Sequence, residues 1–175
     1  MYLYKIMKIY QKKTSQKLPI LIKEAWNFFS DPKNLKIITP DYMGFDIIDG
    51  DDKKIFPGQI IKYKVSPLFG IQLKWVTEIT HVLNERYFVD EQRFGPYALW
   101  HHKHFIKEIE GGIVMEDVID YKLPFGILGQ IVHSTFVKPK IDEIFNYRYN
   151  KLIELFGEFD NTESYTRNKL LNKII

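Results

Sequence analysis

His102 and His104 lie one residue apart in a tract, Phe88 to Gly126, whose apolar and polar residues alternate in the manner of β-strands. In a strand, side chains i and i+2 share a face, so both imidazoles point the same way. Such an H-x-H pair supports two chemistries. The two rings can begin a metal site, with Asp117, Asp90 or Glu91 on an adjoining strand as third ligand. Alternatively, His102 or His104 serves as a general base oriented by Asp117, since imidazole titrates near about 6.5. The pattern itself places only two ligands, so the sequence assigns no metal and no cofactor. His102, His104 and Asp117 are the catalytic candidates, with no chemistry fixed for them. Ser66 and Ser134 lack the G-x-S-x-G setting of an activated serine. His101 falls on the opposite face, and His81 and His133 are isolated.

The elements that must hold these groups follow from the pattern. Gly111-Gly112 reads as a two-residue hairpin turn. That register sets Lys103 opposite Asp120 and Lys107 opposite Glu116 on the outer face, two opposite-charge pairs. It sets Trp100 against Leu123, His102 against Tyr121, His104 against Ile119 and Ile106 against Asp117 on the inner one. An apolar wall carrying a few polar groups is the usual makeup of a small-molecule pocket.

Upstream, a first strand over residues 5–18 ends at Pro19. Residues I-K-E-A-W-N-F-F give a short helical pattern burying Trp26 and Phe29, and Asp31-Pro32 caps and starts a second short helix that ends before Pro40. Strands follow near 44–50, 58–66, 70–83, 86–94, 98–110 and 113–123, punctuated by Gly44, Gly50 and Pro57-Gly58. After Pro124-Phe125-Gly126 the period changes. Ile141, Ile144, Phe145, Tyr149, Leu152, Leu155 and Phe156 recur at helical spacing, with Gly157 as terminator and Pro139 kinking or dividing the helix. The fold class expected is α+β, an antiparallel sheet curled around one long helix.

Composition narrows the partners. The chain has 175 residues, with 13 Phe, 11 Tyr and 3 Trp, ample for a core without disulfides or metal. A net charge of +3, with both signs interspersed, gives no reason to expect nucleic acid. The first ten residues lack the features of a signal peptide, no apolar run reaches the roughly 20 residues that span a bilayer, and no cysteine is present. A cytoplasmic location without stable membrane insertion is expected. The polar tail ends in a weak amphipathic pattern at Leu170, Leu171, Ile174 and Ile175.

Three segments resemble the START/Bet v1-like superfamily, also labelled SRPBCC or polyketide cyclase/dehydrase and lipid transport. They are L-P-I…E-A-W-N-F-F-S-D-P-K-N-L-K-I-I-T-P at 18–40, F-V-D-E-Q-R-F-G-P-Y-A-L-W-H-H-K-H-F at 88–105, and G-G-I-V-M-E-D-V-I-D-Y-K-L-P-F-G at 111–126, with I-F-N-Y-R-Y at 144–149 in the terminal helix. The resemblance covers roughly residues 7–156 and is strongest to a subgroup without assigned chemistry. It implies a helix-grip fold, with a seven-stranded antiparallel sheet wrapped around the long C-terminal helix and two short helices between strands 1 and 2. It also implies a small hydrophobic ligand, such as a lipid, quinone, polyketide or aromatic compound. Pro139 and the tail depart from the family's usual pattern. Residues 1–156 are expected to form one ligand-binding domain and 157–175 an extension.

The expected pocket lining is Trp75, Phe88, Trp100, His102, His104, Asp117 and Tyr121 from the sheet, with Ile141, Phe145 and Tyr149 from the helix. The leading function is a carrier or sensor of a hydrophobic ligand. The alternatives are a cyclase/dehydratase-type enzyme using a cavity histidine as base, and a protein-interaction module with an occluded interior.

Overall fold

The computed structural model describes residues 8–66 and 70–160. Seven strands follow one another as β1 (Tyr10–Leu18), β2 (Asp46–Asp49), β3 (Gln59–Val65), β4 (Leu73–Leu83), β5 (Tyr87–Phe94), β6 (Leu99–Ile109) and β7 (Gly112–Lys122). All pairings are antiparallel, in the order β1-β7-β6-β5-β4-β3-β2. The first strand thus crosses to lie beside the last. Helix α1 (Ile22–Phe29) follows β1 and buries Ala25 and Trp26. The second short helix is a single 3-10 turn, Pro32–Leu35, with Pro32 at its start and Asp31 Oδ1 accepting from the Lys33 amide at 3.1 Å. The tail pattern at Leu170–Ile175 and the first residues of the expected opening strand lie outside the described residues.

From Ile127 the chain is helical to Phe156, through α2 (Ile127–Val132), a π-helical turn at His133–Val137, and α3 (Lys138–Phe156). Pro139 sits in the first turn of α3. Its ring and missing N–H disrupt ordinary helical pairing, and the wider turn just before it absorbs that disruption. Pro139 therefore divides the helix by a change of pitch. Gly157, with φ 90°, closes α3 and donates its amide to the Ile153 carbonyl at 2.8 Å.

One stripe of α3 packs on the sheet. Ile141 and Phe145 join Ile119 and Tyr121, while Leu152 reaches Leu18, Ile113 and Met115. Each such side chain contributes about 1.5–3 kcal/mol on burial. Lys12 on β1 pairs with Asp142 on α3 at 2.5 Å, tying the helix to the sheet's edge strand. Strand β7 alternates as expected, with Ile113, Met115, Asp117, Ile119 and Tyr121 all buried.

The β6–β7 register corrects the sequence expectation by two residues. Trp100 faces Tyr121, His102 faces Ile119, His104 faces Asp117, and Ile109 faces Gly112. The turn is therefore Glu110-Gly111, with Gly111 at φ 81°, and Gly112 opens the strand. The reason lies in β1. A side chain at Gly112 would put its Cβ 2.0 Å from the Leu18 carbonyl oxygen, so close strand approach, not the turn, claims this glycine. Lys107 faces Val114 instead of Glu116, and Lys103 faces Val118. Lys103 still reaches Asp120 diagonally at 2.7 Å. Since the slip is even, every residue keeps its expected face.

Candidate functional site

Between the sheet and α3 lies a cavity of about 610 Å³. Its walls are largely aromatic and aliphatic, and Trp75, Phe88, Trp100, Ile141 and Phe145 all border it. Trp75 meets Trp100 edge-on at 5.4 Å, and Trp100 meets His102 edge-on at 6.2 Å. Ile71, Phe125 and Val132 also border the cavity while 61%, 81% and 42% exposed, so it meets solvent there. Phe125 holds φ 67°, a left-handed conformation rare for a bulky residue.

One patch of the cavity wall is polar. His102 and His104, on β6, lie between Asp90 on β5 and Asp117 on β7. Asp90 is the register partner of His102, and Asp117 that of His104. The four side chains close a ring. His102 Nε2 lies 2.9 Å from Asp117 Oδ1, and His104 Nδ1 lies 2.8 Å from the same oxygen. His104 Nε2 lies 2.8 Å from Asp90 Oδ2, and His102 Nδ1 lies 3.6 Å from it. The imidazole centroids are 3.7 Å apart, and Phe88 stacks on His104 at 4.0 Å. Arg148 of α3 completes the group, with Nη1 3.7 Å from Asp117 Oδ1 and its guanidinium 4.8 Å above the Phe145 ring.

The electrostatics follow from burial and this pairing. Burial raises the Asp117 carboxyl, but hydrogen bonds from His102 and His104 and their charge outweigh it and hold the group well below its usual value. Burial likewise opposes ionisation of Asp90, and the His104 bond with the nearby positive charge leaves it lowered. For His104, burial disfavours the cation, yet bonds to Asp117 and Asp90 raise it above the ordinary imidazole value. His102 goes the other way, since burial and the adjacent His104 charge outweigh the carboxylates. Burial and pairing thus push the two imidazoles in opposite directions, between two carboxylates that are both lowered.

Among the lining side chains, Trp75 Nε1 and Arg148 Nε are buried without a hydrogen-bond partner among the described residues. Both are donors. A buried unpaired donor costs about 1–3 kcal/mol, which an acceptor entering the cavity would recover.

The expected residues divide as follows. Trp75, Phe88, Trp100, His102, His104, Ile141 and Phe145 border the cavity. Asp117 is buried one layer behind the two imidazoles, which it braces. Tyr121 is also one layer back. Its hydroxyl is 2.8 Å from His133 Nε2, and His133 stacks on Tyr10 at 3.4 Å. Burial, helped by Asp142 and Tyr10, pushes that hydroxyl up to about 12. Tyr149 leaves the pocket set: it is 47% exposed, because it lies one position past Arg148 on the helix and is rotated off the cavity face. Two members of the polar cluster went unassigned as lining. Arg148 follows Ile141 and Phe145 at helical spacing on the buried stripe, a signal present in the sequence. Asp90 shares the period-two face of Phe88, and it needed the β5–β6 pairing to bring it to the histidines.

No family model and no curated protein matches the chain. Solved structures do. Protein Ms6760 from Mycobacterium smegmatis superposes with TM-score 0.62 at 17% identity, covering 83% of this chain and 89% of that one. Protein CV1439 from Chromobacterium violaceum gives 0.64 at 12% identity over 85% and 99%. Ginseng major latex-like protein 151 from Panax ginseng gives 0.58 at 10% over 85% and 97%. At such identities the likeness is one of fold, the Bet v1-like helix-grip. Among the described residues no helix is long and apolar enough to cross a membrane.

Proposed function

We propose that this chain, which has the Bet v1-like helix-grip fold, holds a small, largely apolar compound carrying one acceptor group, in the manner of a carrier or sensor. The compound belongs to the lipid, quinone, polyketide or aromatic class, with a carboxylate or carbonyl at one end. The observation that carries this reading is the pairing of an apolar-walled cavity of about 610 Å³ with a cavity-lining Arg148 whose Nε has no partner among the described residues. The volume falls within the usual range of roughly 300–1,000 Å³ for ligand pockets. It equals the share of about 20 liquid waters, which aromatic walls would solvate poorly. Each 100 Å² of apolar ligand surface removed from water favours binding by about 2.5 kcal/mol before ordering costs. The acceptor group then sets orientation against Arg148 and Trp75.

An interaction module calls for an occluded interior, which a cavity of this size argues against. A cavity-base enzyme calls for an imidazole nitrogen free to take a substrate proton; His104 has both ring nitrogens on carboxylates, which leaves His102 Nδ1 as the candidate for that role.

Trp75 and Trp100 are built-in reporters. Titrating tryptophan fluorescence with an apolar carboxylic acid, its alcohol and its parent hydrocarbon tests the proposal. Saturable quenching, tightest for the acid, is the expected result. No saturable response to any of the three would sink it.

A further inference from the structure

We propose that Asp90, His102 and His104 bind a divalent transition-metal ion of the zinc type on the wall of the cavity. This goes beyond the ligand-binding reading and stands independently of it.

Three observations converge. The first is donor geometry. One ligand atom from each residue lies within 4.8 Å of the others. Asp90 Oδ2 is 3.6 Å from His102 Nδ1 and 2.8 Å from His104 Nε2. Donors at about 2.0–2.1 Å from a tetrahedral Zn²⁺ are spaced about 3.3 Å apart, a value these two distances bracket. Both Asp90 distances lie within about 0.5 Å of that spacing.

The second is the far side of each ring. A metal-bound imidazole characteristically donates its other N–H to a carboxylate, which fixes tautomer and orientation. His102 Nε2 and His104 Nδ1, the nitrogens turned away from Asp90, both converge on Asp117 Oδ1 at 2.9 and 2.8 Å. With those two nitrogens donating, His102 Nδ1 and His104 Nε2 present lone pairs toward Asp90. Three acceptors facing one another call for a cation between them. A proton on His104 Nε2 serves one contact and leaves His102 Nδ1 at 3.6 Å from Asp90, beyond hydrogen-bond range. A metal ion engages all three at once.

The third is access. Asp90, His102 and His104 border the cavity, whereas Asp117 lies behind them. Three protein ligands with a fourth position open to a cavity is the pattern of a reactive metal site, as distinct from a closed structural one. Two imidazoles and one carboxylate suit Zn²⁺ or Fe²⁺, and they disfavour the all-oxygen cations Mg²⁺ and Ca²⁺.

Chelator-stripped protein titrated with Zn²⁺ alone by calorimetry, and with Co²⁺ alone by visible absorption, provides the test. One equivalent should bind, with intense Co²⁺ bands of a low-coordinate site. Asp90→Asn, His102→Gln and His104→Gln should each abolish that equivalent, and Asp117→Asn should weaken it about 10- to 100-fold. His81→Gln and His101→Gln should leave it intact. Lack of a stoichiometric equivalent in the wild type, its survival in the ligand variants, or its loss in the surface variants would overturn the proposal. Should a ligand variant fail to fold, X-ray absorption of Zn²⁺-loaded wild type decides. Two imidazoles with oxygen donors support the site, and fewer than two overturn it.

Discussion

Asp117 stands directly across the β6–β7 ladder from His104, and its Oδ1 lies 2.8 Å from that ring's Nδ1 and 2.9 Å from Nε2 of His102. One buried oxygen thus braces both imidazoles that border the cavity. The consequence for stability is direct. Removing one partner from a buried charged cluster leaves the others uncompensated, at a cost of about 3–5 kcal/mol. Asp117→Leu is expected to lose that much in urea unfolding at neutral pH with chelator present. A loss below about 1 kcal/mol would mean the cluster is solvated in solution.

The same cluster makes stability depend on pH in the metal-free protein. His104 is raised above 6.5, so its contribution is fully present below 6.5 and is lost as pH rises through its folded value. Asp90 and Asp117 are lowered, so theirs is present above about 3.8 and lost as pH falls through their folded values. His102 is lowered from 6.5, so the fold resists its protonation and stability falls as pH drops below 6.5 toward its folded value. Unfolding free energy measured against pH in chelator should decline on the alkaline side for wild type. His104→Gln should flatten that decline. An unchanged alkaline slope in the variant would assign it to another group.

Gly112 offers a test of the register. Gly112→Ala places Cβ 2.0 Å from the Leu18 carbonyl oxygen, a backbone atom with little room to yield. The variant should lose about 2 kcal/mol or more, and amide exchange should quicken first along β1 and β7. A variant as stable as wild type would argue that Gly111-Gly112 forms the turn after all.

What was legible in the sequence was whatever depends on parity. Positions 102, 104 and 117 share the inner face under either hairpin register, because a two-residue slip leaves period-two alternation unchanged. The helix-grip order was legible from the punctuated run of strands, the Asp31-Pro32 helix start and the helical spacing after Gly126, together with the quoted segments. The register was not, because it turns on the approach of Leu18, a residue 94 positions before Gly112 in the chain. Charge matching of Lys107 with Glu116 pointed the wrong way, since Lys103 reaches Asp120 diagonally in the true register. Arg148 was hidden by its type. A buried stripe invites apolar choices, and neighbouring Tyr149 drew the assignment although it lies off the stripe.

Arg148 is the residue on which ligand orientation depends. A charge-assisted hydrogen bond contributes about 1.5–3 kcal/mol, which corresponds to at least about tenfold in affinity. Arg148→Leu should weaken binding of 1-anilinonaphthalene-8-sulfonate, an apolar anion, by about that factor, with its uncharged parent amine nearly unaffected. Equal weakening of both would place Arg148 in packing and not in recognition.

The central claim is that the cavity holds a compound. Native mass spectrometry of the protein purified from its own source, followed by solvent extraction of the bound fraction, tests it most directly. A one-to-one complex with a mostly apolar molecule bearing a carboxylate or carbonyl is the predicted result, with Ile144→Trp, which fills the space between Trp75 and α3, abolishing it. Bare protein throughout, unchanged when apolar carboxylic acids are added in excess, would contradict the account.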